Sequence, residues 1–238
     1  MTDYSVDIAR IRISQDDDRT AIWRLKGGFD KKWDISGEPL RKGNWESVMH
    51  KPEVKEKILK DVIVLLQNRK LYQERGLPFR RTYLFHGPRG TGKLSLIHSL
   101  AGKLNYNICH LTLIEKDLTV DSLVTYMAEV PRRSLILITN VDDTLPSKKR
   151  RTDIISLEEE QGCDIQKSKI SIMDFCNAIE SFESETSPIV IMTAKKKEDI
   201  APELFLPGRY FTSLSLCVDW QYSHVIDDIN DLSSIVIV

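Results

Sequence analysis

Several things are missing from this sequence of 238 residues, and each absence removes a class of protein. The four cysteines, Cys109, Cys163, Cys176 and Cys217, show no CxxC spacing and no neighbouring histidine pattern. Neither a zinc site nor a disulfide framework is written into the chain, and dispersed cysteines of this kind suit a reducing, intracellular setting. No apolar run approaches the roughly 20 residues that cross a bilayer, so no membrane-spanning segment is expected. Residues 1–18 include several acids, which fits neither a secretory signal nor an arginine-rich transit peptide. Asp16-Asp17-Asp18 lacks the spacing and closing glutamate of a calcium loop and reads as a solvated turn. Net charge is also missing. Lys and Arg number 34 against 35 Asp and Glu, giving −1, so no overall field draws the chain to nucleic acid or to a membrane surface. There is no internal repeat.

What the chain does have is one informative loop. Gly87-Pro88-Arg89-Gly90-Thr91-Gly92-Lys93-Leu94 follows the apolar stretch Thr82-Tyr83-Leu84-Phe85-His86 and precedes a helix-like run, Ser95 to Leu104. Strand, glycine-rich loop and helix are the context of a phosphate-binding loop. Glycines let backbone N–H groups turn inward around phosphate oxygens, and a helix N-terminus adds positive potential. Lys93 is placed to reach terminal phosphates as a point charge. Such a loop ordinarily closes with Ser or Thr, whose hydroxyl holds magnesium; Leu94 stands there instead. The motif therefore speaks for nucleotide binding and much less for hydrolysis.

The rest of the chain frames that loop. Pro52 opens a helix with Val54, Ile58, Val62, Leu65 and Leu66 on one face, ending near Gly76. Arg80 and Arg81 then read as a solvated entry to the strand before the loop, with phosphate contact as the alternative. Ile108 to Leu113 reads as a strand and Leu118 to Val130 as an amphipathic helix. Ser134-Leu135-Ile136-Leu137-Ile138 and Pro188-Ile189-Val190-Ile191-Met192 are continuous apolar runs, as in strands buried on both faces of a parallel sheet. A helix from Ser171 to Ser181 lies between them. Strands alternating with helices predict a doubly wound α/β sheet, with ligands at the carboxyl ends of its strands, where residues after Phe85, Ile138 and Met192 converge. Tyr4 to Ile13 and Thr20 to Leu25 read as strands, and Phe29 to Asn44 as a loop. Trp23, Trp33 and Trp45 read as packing or partner residues, since no basic stripe accompanies them for base stacking. Residues 144–169, with Lys148-Lys149-Arg150-Arg151 and Glu158-Glu159-Glu160, read as a charged, solvated insertion. The helix–strand alternation fades past Arg209.

The residues also resemble a known family. The stretch Arg75 to Pro88, with Ser99-Leu100-Ala101-Gly102, Leu135 to Ile138, Phe175-Cys176-Asn177-Ala178-Ile179 and Pro207-Gly208-Arg209, is similar to AAA ATPases of the mitochondrial ubiquinol–cytochrome c reductase assembly chaperone subfamily, which translocates the folded Rieske protein. The likeness runs from about Gly43 to Tyr210. It implies an AAA-type P-loop domain over residues 46–215, preceded by a partial family-specific segment, 1–45, and followed by a divergent tail, 216–238, with the usual helical lid not recognisable. It implies binding of ATP or ADP, a homo- or hetero-oligomeric ring, a protein client and a mitochondrial setting. The nucleotide would be held by Gly87, Pro88, Arg89, Gly90, Thr91, Gly92, Lys93, Leu94 and Ser95.

Set against that family, the departures cluster at the chemistry. Two acidic residues are expected after the central strand, one for magnesium and one to position the attacking water; Thr139 and Asn140 stand there. Phosphoryl transfer depends on metal-assisted charge neutralisation. Thr139 can hold a metal-bound water but brings no charge, and Asn140 can orient a water but cannot take its proton. Asp142 and Asp143 are near enough to substitute, although Asp142 already matches another acid of the pattern. Ser95 lies one residue past Leu94, about 100° round the helix. Lys195 replaces the asparagine that senses the terminal phosphate, and reads as a solvated loop lysine or a phosphate ligand. Leu206 replaces one of two ring arginines, while Arg209 keeps the other. The expectation is an ATP-binding AAA-type protein with hydrolysis weak or lost. The alternatives are an active ATPase using Asp142 or Asp143, and a non-catalytic module in a hetero-oligomeric ring.

Overall fold

The computed structural model describes residues 19–26, 31–48, 50–114, 118–147, 170–181, 189–205 and 211–215. The parallel sheet that the apolar runs predict is present. Its strands are β2 (Ile22–Lys26), β3 (Lys32–Ile35), β5 (Arg81–His86), β6 (Asn107–Leu111), β7 (Ser134–Ile138), β8 (Ile189–Ala194) and β9 (Phe211–Ser215), in the order β3-β2-β6-β7-β8-β5-β9. All neighbours run parallel except β2 and β3. Two short strands, β1 (Arg19–Thr20) and β4 (Leu40–Arg41), pair separately.

Every residue of β7 and β8 is buried, because helices cover both faces of the sheet. The period of two along β7 divides its side chains between the faces. Leu135 and Leu137 pack with Ile58, Val62 and Leu65 of α1 (Pro52–Gln67) and with Leu96, Ile97 and Leu100 of α3 (Lys93–Leu104). Ile136 and Ile138 pack with Leu123 and Met127 of α4 (Val120–Ala128) and with Phe175, Ala178 and Ile179 of α6 (Ile172–Ser181). A capping box between Thr119 and Ser122 starts α4. The short helices α2 (Arg69–Glu74) and α5 (Val141–Thr144) complete the set among the described residues, with a 3-10 turn at Pro202–Phe205.

Several sequence expectations need correction. The stretch Phe29 to Asn44 is not a loop throughout, since β3 and β4 lie within it. In β3 the buried Trp33 and Ile35 alternate with Lys32 and Asp34, a half-buried edge-strand pattern that the surrounding Gly, Pro and Lys disguised. The helix expected from Pro52 to Gly76 is two helices, interrupted at Asn68, whose Nδ2 bonds back to Val64 O at 2.7 Å. Arg80 and Arg81 are neither solvated nor at the phosphate loop. Arg80 is buried and donates to Glu180 O, and Arg81 pairs with Asp61 at 3.2 Å. The sheet also continues past Arg209, in β9. Tyr4 to Ile13, Asp16 to Asp18, Lys148 to Lys169, Leu206, Arg209 and the tail from 216 lie outside the described residues. The three tryptophans are packing residues: Trp23, Trp33 and Trp45 are all buried, and Trp33 Nε1 donates to Tyr126 O at 2.8 Å.

Candidate functional site

Five local features place the site at the carboxyl ends of β5, β7 and β8. The first is the loop itself. Gly90 and Gly92 hold φ of +82° and +74°, a region in which a side chain is strained, so the tight inward turn depends on glycine there. Leu96 N donates to Gly92 O at 2.9 Å as α3 begins. The ammonium of Lys93 folds back into the loop and donates to Gly87 O and Pro88 O, both at 2.6 Å, and to Thr91 Oγ1 at 3.2 Å. Thr91 is buried and its hydroxyl donates to Pro88 O at 2.9 Å. Pro88, Arg89, Gly90, Leu94 and Ser95 are exposed, and the Leu94 side chain presents 49% of its surface.

The second feature joins the loop to the sheet: Gly87 N donates to Ala194 O, the last residue of β8, at 3.2 Å. The third is the end of β7. Thr139 Oγ1 lies 3.0 Å from His110 Nε2, so its hydroxyl is already engaged by the neighbouring strand. Asn140 adopts a left-handed conformation, φ +55°, that turns the chain into α5, and its N–H donates to Thr193 Oγ1 at 3.3 Å.

The fourth is Asp142, which is 1% exposed. Its Oδ2 accepts the Lys195 N–H at 3.1 Å, whereas its buried Oδ1 makes no hydrogen bond among the described residues. Burial pushes this carboxyl above the ordinary carboxylate range; the Asp143 charge adds to the shift, and the Lys195 N–H opposes it. Burial lowers the Lys93 ammonium, and the Asp142 charge pulls it back up, which places these two groups within electrostatic reach. The fifth is an ion pair, Lys195 Nζ to Asp143 Oδ2, at 2.6 Å. Lys195 is therefore neither a free loop lysine nor uncommitted toward phosphate.

The structure thus gathers Gly87 to Lys93, Thr139, Asn140, Asp142 and Lys195 at one end of the sheet. Sequence reasoning missed two histidines beside them. His110 interrupts the apolar run of β6. His50 lies against the loop, its Nε2 3.3 Å from where a Cβ on Gly92 would fall. Burial depresses both imidazoles. The only sequence signal for either was a polar ring beside apolar neighbours.

Inward-turning glycines, a helix N-terminus and an ammonium are the groups a polyphosphate needs, and they are present in sequence order. The donor set suits a divalent cation less well. Among the described residues no group of three or more His, Cys, Asp or Glu could hold a metal ion, and an exposed leucine stands at the hydroxyl position.

Comparison with known proteins defines the class. The profile described as "ATPase family associated with various cellular activities (AAA)" matches residues 83–217. The chain belongs to this family, whose fold is the α/β P-loop architecture seen here. Within it, the chain resembles a particular group. It is 34% identical over 178 residues to "Probable mitochondrial chaperone bcs1" of Schizosaccharomyces pombe, covering 75% of this chain and 37% of that protein. It is 32% and 30% identical to "Mitochondrial chaperone BCS1" of Danio rerio and Homo sapiens, in each case over 90% of this chain and 50% of the relative. The chain therefore spans half or less of the length of these relatives. No described helix is long and apolar enough to cross a membrane.

Proposed function

We propose that this chain is an AAA-type protein that binds ATP or ADP through Gly87, Pro88, Arg89, Gly90, Thr91, Gly92, Lys93, Leu94 and Ser95 and hydrolyses it weakly or not at all. One observation carries the reading. The loop turns its ammonium onto its own carbonyls, Gly87 O and Pro88 O, while the carboxylate that acts on it among the described residues is Asp142, buried and holding the Lys195 N–H. The backbone N–H groups and Lys93 would bind and orient the phosphates. Magnesium would supply charge neutralisation at the phosphoryl group, with Asp142 as its ligand and Thr139 a weaker candidate, since that hydroxyl is bonded to His110. Asn140 can position water but not deprotonate it. Arg209 would reach a neighbouring subunit's nucleotide in a homo- or hetero-oligomeric ring.

The names of the relatives support a chaperone-like role in mitochondria on a protein client. Nucleotide affinity and phosphate release, each measured with and without Lys93→Ala, test the proposal. Binding should weaken about tenfold or more in the variant, since a charge-assisted contact is lost. Release faster than about one per second that Lys93→Ala abolishes would overturn the weak-hydrolysis reading. Failure to bind at millimolar ATP, with co-assembly into a ring of active relatives, would favour the non-catalytic module.

A second reading, active hydrolysis, is favoured by Asp142, whose buried Oδ1 makes no hydrogen bond among the described residues and so keeps its lone pairs uncommitted. On that reading Asp142→Asn or Asp143→Asn abolishes magnesium-dependent release; retained activity in both variants excludes it.

A further inference from the structure

The lysines around the loop are engaged in different ways. Ala194 O anchors the loop through Gly87 N, so the next residue, Lys195, emerges beside the phosphate cradle. Its ammonium does not face the cradle unengaged, because Asp143 Oδ2 sits 2.6 Å away, and its backbone N–H is held by Asp142. Lys93, the second cation, is turned onto Gly87 O and Pro88 O, both at 2.6 Å. Lys197 turns to the Phe205 ring, 4.9 Å from its centroid, and Arg89 lies at the exposed tip of the loop. Lys195 is thus held by a carboxylate at contact distance and Lys93 by the loop's own carbonyls, whereas Lys197 keeps its charge beside an aromatic ring, near enough to depress the His86 imidazole.

Phosphates differ in what they require. A diphosphate is satisfied by inward backbone N–H groups, the helix terminus and one lysine. A third phosphate brings further negative charge and gains only where a cation is available to meet it. Here the cation in position is already paired, and two carboxylates lie next to it. We propose that this site recognises the diphosphate of a nucleotide and does not discriminate for a third phosphate, because the Asp143 carboxylate holds the Lys195 ammonium in the terminal phosphate's stead. The inference rests on the nucleotide-binding reading above and adds its selectivity.

The test is calorimetric titration of the full chain with ATP and with ADP, in chelator to remove divalent metal. Wild-type affinities should agree within about threefold, less than one charge-assisted contact would produce. Asp143→Asn removes the carboxylate charge at nearly constant volume; it should tighten ATP about tenfold and leave ADP unmoved, as an ammonium freed for phosphate would. Adding Lys195→Met should restore the wild-type ratio. Wild-type ATP binding more than about tenfold tighter than ADP, or an unchanged ratio in Asp143→Asn, overturns the proposal. Should Asp143→Asn fail to fold, Lys195→Met alone decides: an unchanged ratio supports the proposal, and a selective loss of ATP affinity overturns it. Binding of neither nucleotide to the wild type overturns the nucleotide reading itself, and this inference with it.

Discussion

Asp142 is the residue whose cost and use can be separated. Its carboxyl is raised by burial, and its Oδ1 makes no hydrogen bond among the described residues. A buried, unsatisfied charge destabilises the fold unless something else needs it. The sign follows from linkage. Below the ordinary carboxylate pKa, folded and unfolded chains are both protonated and no penalty exists. As pH rises above it, the unfolded chain ionises first, so the folded state loses stability until its own carboxyl ionises too, and the penalty then stays constant. Asp142→Asn keeps an oxygen for the Lys195 N–H and removes the charge. The variant should be more resistant to urea than wild type at pH 7, and the difference should shrink as pH falls toward 4. A lower urea midpoint for the variant at pH 7 would show that the charge has a stabilising partner.

Between elements, small residues set how closely they approach. The segment Lys42-Gly43-Asn44 crosses α3 over Ser99 and Gly102. A Cβ on Gly43 would lie 2.8 Å from Ser99 Oγ and 2.9 Å from its backbone N and Cα. The contact cannot be relieved by a side-chain rotation, because backbone is in the way. Just beyond it, the buried Lys55 of α1 donates to Trp45 O at 2.6 Å and Val48 O at 3.2 Å, fixing the turn that carries His50 onto Gly92. Gly43→Ala should therefore destabilise the fold by about 1–3 kcal/mol, as overpacking does, and should also weaken nucleotide affinity by displacing the turn next to the loop. Chemical denaturation and titration check the two effects; an unchanged urea midpoint would mean that the crossing yields freely.

Much at this scale was legible in the sequence. The phosphate loop, β7, β8 and the helices around them rest on local signals: glycine spacing, unbroken apolar runs and helical periodicity. What stayed hidden depends on pairing between distant segments. Asp143 and Lys195 are 52 residues apart and meet only because β7 and β8 are neighbours. Arg80 reached Glu180 in the same way, so a charge that looked solvated was a buried clamp. The edge strand β3 had the right alternation but only four residues, too few to stand out from its polar surroundings.

For the whole molecule, the question is where the folding unit begins. The likeness legible in the residues starts near Gly43, and a cut there would look natural from sequence, although the match to the relatives covers 90% of the chain and so begins earlier. The sheet does not respect it. β2 pairs in parallel with β6 through Ile22, Trp23 and Arg24, and β3 pairs with β2. Ala21, Trp23, Trp33 and Ile35 belong to the same apolar cluster as Ile136, Ile138 and Phe175, and each is less than 10% exposed. Asn107 Oδ1 takes the Ala21 N–H at 3.0 Å, and Ile108 N donates to Ala21 O at 2.9 Å. Burying a large apolar side chain contributes about 1.5–3 kcal/mol. Two tryptophans and an isoleucine together therefore reach the scale of the whole net stability of a domain, about 5–15 kcal/mol. A chain starting at residue 45 would also expose the edge of β6 and the apolar surface of α4. It should aggregate or lose its cooperative thermal transition, while the full chain melts as one unit. A soluble 45–238 fragment that melts cooperatively at the temperature of the full chain would show that β1 to β4 are an appendage, and that the P-loop sheet ends at β6.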